Sequence, residues 1–287
     1  MRYPPPFNLM VVSPGVGVTP DALGGAAPMV LHGLRGLGLP ARVVVNEYLR
    51  DATNIVFAAH NLDPSLVEVL PTGSIVYNTE MVVPGSPFIA SMLPFVRAFE
   101  TWDYSPTNVR RWEAMGLGAR VRLVRPAYLP HYTVVRIDAP RDVDVLFYGM
   151  LGARRQGVLE SIARTGVRLK VLIDVWGDEL NAWIERSRLL VNIHHRGDAV
   201  FETARMSKAL ANRRCFVSEA GSLDDVDPSL LPGFVTGDVG DLPSICRALV
   251  DDDLRREDIA QRGFDLYRAT DFSRTLAEVL GVESRGR

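Results

Sequence analysis

The sequence predicts an α/β protein made of two Rossmann-like, doubly wound domains. Short apolar runs alternate with longer amphipathic segments, the rhythm of parallel strands joined by crossover helices. That rhythm breaks once, between Pro126 and Asp142, where prolines recur without a sustained period. A length of 287 residues accommodates about two domains of ordinary size.

In the first half the expected strands are Asn8–Ser13, Ala41–Asn46, Asn54–Ala58, Ser74–Tyr77, Ala98–Asp103 and Arg120–Val124. Helices are expected over Asp21–Leu37, Pro64–Leu70, Pro87–Arg97 and Pro106–Met115. Three of these four open on proline, whose missing N–H costs nothing in a first turn. In the second half the strands are Val143–Tyr148, Arg168–Ile173, Arg188–Ile193, Cys215–Ser218 and Gly233–Val235. The helices are Arg154–Arg164, Asp178–Arg186, Val200–Ala211, Asp241–Val250, Leu254–Tyr267 and Ser273–Leu280. The implied division is a first domain over 1–126, a linker over 127–142, a second domain over 143–270, and a C-terminal helix and tail over 271–287 that packs back on the first domain.

Composition narrows the class. Hydrophobic residues are 47% and charged residues 23%, which excludes a disordered or fibrous chain. A formal charge of −2 gives no general attraction to polyanions. Lys170 and Lys208 are the only lysines, so 30 of the 32 basic residues are arginines, the side chain suited to bidentate phosphate contacts. Cys215 and Cys246 make neither a disulfide framework nor a metal knuckle. The opening MRYPPPFNLMVV lacks signal-peptide features, and no run approaches the roughly 18 apolar residues of a membrane span, so a cytoplasmic location is expected.

Parallel sheets bind ligands outside the carboxyl ends of their strands, and two such domains would face a central cleft. After the first strand, Gly15 and Gly17 form a tight loop, either a turn or the backbone-lined edge of an acceptor pocket. No Gly-x-Gly-x-x-Gly follows a strand, which argues against a dinucleotide oxidoreductase. His60 and Glu80 end the third and fourth strands and are candidate general bases toward an acceptor hydroxyl. Asp103 ends the fifth and is a candidate on the acceptor side, while Ser105 before Pro106 reads as a helix cap.

In the second domain Gly149 opens the turn after the first strand, and Arg154 and Arg155 follow at a helix start, a constellation suited to a diphosphate. Trp176 offers a plane for a nucleobase or a core anchor. The densest polar segment, LLVNIHHRGDAVFETARMSKAL, carries Asn192, His194, Glu202, Arg205, Ser207 and Lys208. Glu202 and Arg205 share a helix face, as a carboxylate for ribose and a cation for phosphate or as an internal ion pair. His194 and His195 have no third ligand at a zinc spacing. The acidic triplets at 142–144, 225–227 and 251–253 read as solvated carboxylates, so neither a metal ion nor another cofactor is expected.

These residues resemble the GT-B glycosyltransferases of the group 1 type, and more narrowly a bacterial and viral set described as glycosyltransferase family 1. The resemblance lies in IVYNTEMVVPGSPF, TWDYSPTNVRRWEAMG, DVLFYGMLGARRQGVLESI and VNIHHRGDAVFETARMSKALANRRCFVSE, and with the matching rhythm it covers most of the chain. It implies a nucleotide-diphosphate sugar, such as a UDP-sugar, bound by the second domain, and an acceptor bound by the first. Arg154 and Arg155 match the position where basic residues meet the donor pyrophosphate. The broader pattern has two glutamates eight positions apart; here Lys208 stands where the second would fall and Val200 eight residues before it.

The expected activity is metal-independent transfer of a sugar from a nucleotide diphosphate to an acceptor hydroxyl. Arg110, Arg111, Arg120, Arg122 and Arg125 form a local basic cluster, which admits a hydroxylated nucleobase in DNA as one acceptor. The alternative is a two-lobed module that binds a nucleotide or sugar without turnover, for which Lys208 is the main support.

Overall fold

The computed structural model describes residues 3–13, 15, 25–83, 85–196, 200–221 and 223–283. Two compact units make up the chain: Met1–Leu129 with Asp271–Arg287, and Pro130–Thr270.

The first unit is built on a six-stranded parallel sheet, ordered β2-β1-β3-β4-β5-β6. Its strands are β1 Phe7–Val11, β2 Ala41–Val45, β3 Thr53–Phe57, β4 Ile75–Asn78, β5 Glu100–Asp103 and β6 Val121–Leu123. The central strands β1, β3 and β4 are buried at every position, because helices cover both faces of a parallel sheet and leave no polar side. The helices are α1 Ala26–Gly36, α2 Pro87–Ala98 and α3 Pro106–Ala114. Ser86 and Ser105 cap α2 and α3 by accepting the amides of Ile89 and Asn108, with a proline next in each case. The helix expected over Pro64–Leu70 is instead a 3-10 turn, Pro64–Glu68. With prolines at both ends, the stretch is too short to recover the cost of nucleating an α-helix.

The second unit holds a five-stranded parallel sheet, ordered β11-β10-β9-β7-β8. Its strands are β7 Val143–Tyr148, β8 Leu169–Leu172, β9 Ser187–Asn192, β10 Cys215–Glu219 and β11 Val235–Gly237. Its helices are α4 Ala153–Arg164, α5 Gly177–Glu185, α6 Thr203–Ala211, α7 Leu242–Asp251 and α8 Asp253–Arg268. The last helix, α9 Phe272–Leu280, belongs to the first unit: its Phe272 and Leu276 rings and methyls press on Gly33 of α1.

Of the stretch 127–142 expected as a linker, residues 130–142 pack with the second unit. Asn212 accepts the Val134 amide and donates to the Tyr132 carbonyl, both at 2.8 Å, and Arg136 pairs with Glu185. Behind them Arg214 is fully buried and donates to the carbonyls of Ile184 and Glu185 at the end of α5, each at 2.9 Å. The negative end of that helix thus stands in for a carboxylate partner.

Gly263 of α8 lies against the Gly233 carbonyl so closely that a Cβ would collide with backbone. Gly263→Ala should therefore lower stability by about 1–3 kcal/mol, checked by urea denaturation, because neither main chain can yield without strain.

The sheet orders also place the crevices. β1 lies between β2 and β3, and β7 lies between β8 and β9, so successive crossovers leave β1 and β7 in opposite directions. Ligands enter parallel sheets at the carboxyl side of such switch points. In the first unit that is the end of β1 and β3; in the second it is the end of β7 and β9.

Candidate functional site

At the switch point of the second unit, β7 runs into Gly149, whose φ of 129° few other residues adopt. A Cβ there would fall on the Arg205 guanidinium. The chain then enters α4, whose N-cap, Gly152, supplies no side-chain cap, leaving the first-turn amides open to an anion.

Arg154 and Arg155 sit in that first turn, against the helix dipole, and each has a carboxylate to balance it. Arg154 forms a two-pronged pair with Glu219 and donates to the His194 carbonyl at 2.8 Å. Its side chain stays one-third exposed. Arg155 turns inward instead: 3% exposed, it donates to the carbonyls of Ile193 and Met150 at 2.8 Å and to Glu202. A buried arginine with two main-chain carbonyls as partners ties the loop after β7 to the end of β9. Arg205, from α6, pairs with the other oxygen of Glu202 and donates to Asn192 at 2.7 Å. Its guanidinium lies over the rings of Phe147 and Tyr148. Glu202 therefore joins Arg155 to Arg205.

Glu219, at the end of β10, had no place in the sequence reading. It accepts the His194 amide at 3.0 Å as well as Arg154. Burial works to raise its pKa, but these bonds outweigh it and hold the carboxyl below its ordinary range. Its partner lies 65 residues earlier, so only the glutamate closing an apolar strand marked it in the sequence. His194 is fully buried, neither ring nitrogen has a partner, and burial lowers its pKa, so the imidazole is held neutral. Asn192 is also buried and bridges Arg205 to Ser218.

Trp176 follows β8, half-buried at the start of α5, with Ile173 and Met150 exposed on the same strand-end edge. Ser207 is buried with its hydroxyl unpartnered, and Lys208 lies over the Tyr132 ring, 5.8 Å from its centre. Among the described residues no group of three or more His, Cys, Asp or Glu side chains is arranged to hold a metal ion. Nor is any helix long and apolar enough to cross a membrane.

In the first unit His60 lies just after β3 and Glu80 just after β4, a neighbouring strand. Both are half-buried. Burial pushes the His60 imidazole below its ordinary value, and the Glu80 carboxylate partly offsets this. The Glu80 main chain is clamped: its carbonyl accepts Asn78 and Asn108 at 2.8 and 2.9 Å, and its amide donates to Asn78 at 3.0 Å. Asp103, expected to face an acceptor, is fully buried and instead anchors this clamp. It accepts Asn78 at 2.7 Å, the Ser105 amide at 2.9 Å, Trp112 at 3.0 Å and Asn108 at 3.1 Å.

The Gly15 carbonyl accepts the Ser13 hydroxyl, as in a tight turn. Gly17 lies outside the described residues. Of the five arginines, Arg122 pairs with Glu100, Arg120 donates to the Ala98 carbonyl, Arg111 to the Val82 carbonyl and Arg110 to the Thr107 hydroxyl.

The architecture is that of the GT-B glycosyltransferases: two parallel α/β sheets of this kind recur in solved structures over nearly the whole chain. Anabaena HepE in complex with UDP and glucose is 12% identical, covering 96% of this chain and 99% of that one, with a TM-score of 0.64. Sucrose-phosphate synthase from Thermosynechococcus elongatus is 10% identical over 96% and 98%, with a TM-score of 0.62. A glycosyltransferase from Rickettsia africae is 9% identical over 96% and 97%, with a TM-score of 0.58. No family model matches the chain. Two uncharacterized proteins of Acanthamoeba polyphaga mimivirus are similar in sequence, one 23% identical over 62% of this chain, the other 28% over 35%. The matches span 59% of the first and 12% of the second.

Proposed function

We propose that the protein is a glycosyltransferase moving a sugar from a nucleotide diphosphate, with a UDP-sugar as the first candidate, to an acceptor hydroxyl. One observation carries this reading: the open N-terminus of α4 follows the Gly149 turn at a switch point, with Arg154 and Arg205 beside it. Main-chain amides and two partly exposed guanidinium groups form a preorganised site for the charge that grows on a departing diphosphate. In the transfer the acceptor oxygen bonds to the anomeric carbon, the bond from that carbon to the diphosphate breaks, and the nucleotide leaves with the electron pair. If the enzyme inverts, Glu80 or His60 takes the hydroxyl proton. The arginines then supply the charge that a metal ion supplies elsewhere, so turnover should persist in EDTA.

A second reading, binding without turnover, draws on the pairing of Arg154 with Glu219 and of Arg205 with Glu202, since a phosphate must compete with both carboxylates. A panel of UDP, GDP, ADP and dTDP sugars separates the two. The transferase reading expects one nucleotide to raise the melting temperature and its sugar conjugate to release nucleotide diphosphate. A thermal shift without any release leaves the binding module. No shift with any nucleotide rejects both.

A further inference from the structure

Ten of the eleven phenylalanines are buried; Phe88 is 55% exposed. It stands in the first turn of α2, which Pro87 and the Ser86 cap hold rigid. Its ring meets the His60 imidazole edge-on, 89° between planes and 5.3 Å between centres. Beyond His60 is Glu80, close enough to act on the imidazole electrostatically. An exposed aromatic ring is thus fixed beside two half-buried groups able to exchange protons, at the ends of neighbouring strands.

We propose that this corner is the acceptor site and that its acceptor is a neutral carbohydrate, a pyranose laying its C–H face on Phe88 with one hydroxyl toward His60. This rests on the transferase reading. The ring C–H groups of a sugar carry slight positive charge and suit the negative face of an aromatic ring, while the hydroxyls suit the polar groups around it. Charge beside the ring disfavours a nucleic acid: Glu80 stands next to His60 and repels phosphates, while Glu47 further along the strand ends is paired with Arg42. Of the nearby arginines, Arg122 is balanced by Glu100.

The test uses the full-length protein, the nucleotide sugar it hydrolyses or binds, and three acceptor sets: methyl and p-nitrophenyl pyranosides, duplex DNA containing 5-hydroxymethylcytosine, and straight-chain alcohols. A pyranoside should be glycosylated, and Phe88→Ala should raise its KM about tenfold with kcat and donor hydrolysis little changed, while Phe88→Trp stays near wild type. Transfer to DNA or to the alcohols but to no pyranoside overturns the proposal. So does a pyranoside KM that Phe88→Ala leaves unmoved, or donor hydrolysis with no transfer to any pyranoside. Failure of every nucleotide sugar to bind removes the transferase reading itself, and this one with it.

Discussion

Replacing Arg154 with alanine should slow release of nucleotide diphosphate from the donor sugar by about a hundred- to a thousandfold, the usual loss when one preorganised donor to a developing anion is removed. Of the three arginines around the Gly149 turn, Arg154 combines a first-turn position on α4 with the greatest exposure, one-third of its side chain. Its loss leaves Glu219 with the His194 amide, so the variant should fold, with a melting temperature close to wild type. Arg155→Ala should behave oppositely. It strips Glu202 of a buried partner and leaves the Ile193 and Met150 carbonyls without this donor, so stability falls first. Steady-state rates and thermal melts on both variants distinguish the roles. A folded Arg154→Ala enzyme that releases nucleotide at the wild-type rate would remove Arg154 from the chemistry.

The contrast between these adjacent arginines marks what the sequence can and cannot convey. Strands such as Val143–Tyr148 were legible to the residue, since a parallel strand covered on both faces must be apolar along its length. Helix starts were legible at Ser86 and Ser105, each followed by proline and an amphipathic run, because capping is local chemistry. Strand ends therefore indicated where Gly149, His60 and Glu80 would stand. Whether a side chain there faces outward or inward depends on partners far away in the chain. Glu219 reaches Arg154 across 65 residues and Glu202 reaches Arg155 across 47, and neither pairing leaves a periodic trace. Asp103 is the sharpest instance. Its place at the end of β5 suggested a ligand contact, yet four donors from Asn78, Ser105, Asn108 and Trp112 enclose it.

That enclosure makes Asp103 a pH-dependent element of the fold. Burial pushes its carboxyl up to about 7, and the hydrogen bonds from Asn78, Ser105, Trp112 and Asn108 only partly offset this. A carboxyl whose pKa is raised on folding favours the native state fully below its unfolded value near 4, and that contribution is lost as pH climbs through about 7. Other carboxylates, Asp144 and Glu219 among them, are held below their ordinary range and act in the opposite direction, so the melting temperature of the wild type alone mixes both. Asp103→Asn isolates the effect, because asparagine does not titrate and the other groups cancel in the difference. The wild type's stability relative to this variant should decline between pH 4 and 7 by at most about 4 kcal/mol and level off above that. Asparagine also turns an amide N–H toward a cage made only of donors, so the variant should be weaker than the wild type throughout, by about 2–3 kcal/mol near pH 7. Because Asn78 and Asn108 hold the Glu80 carbonyl, the same change should loosen the strand end that carries Glu80 and lower kcat before the protein unfolds. A wild-type-minus-variant difference that is flat from pH 4 to 8 would show that Asp103 stays ionised throughout, with its four donors outweighing burial.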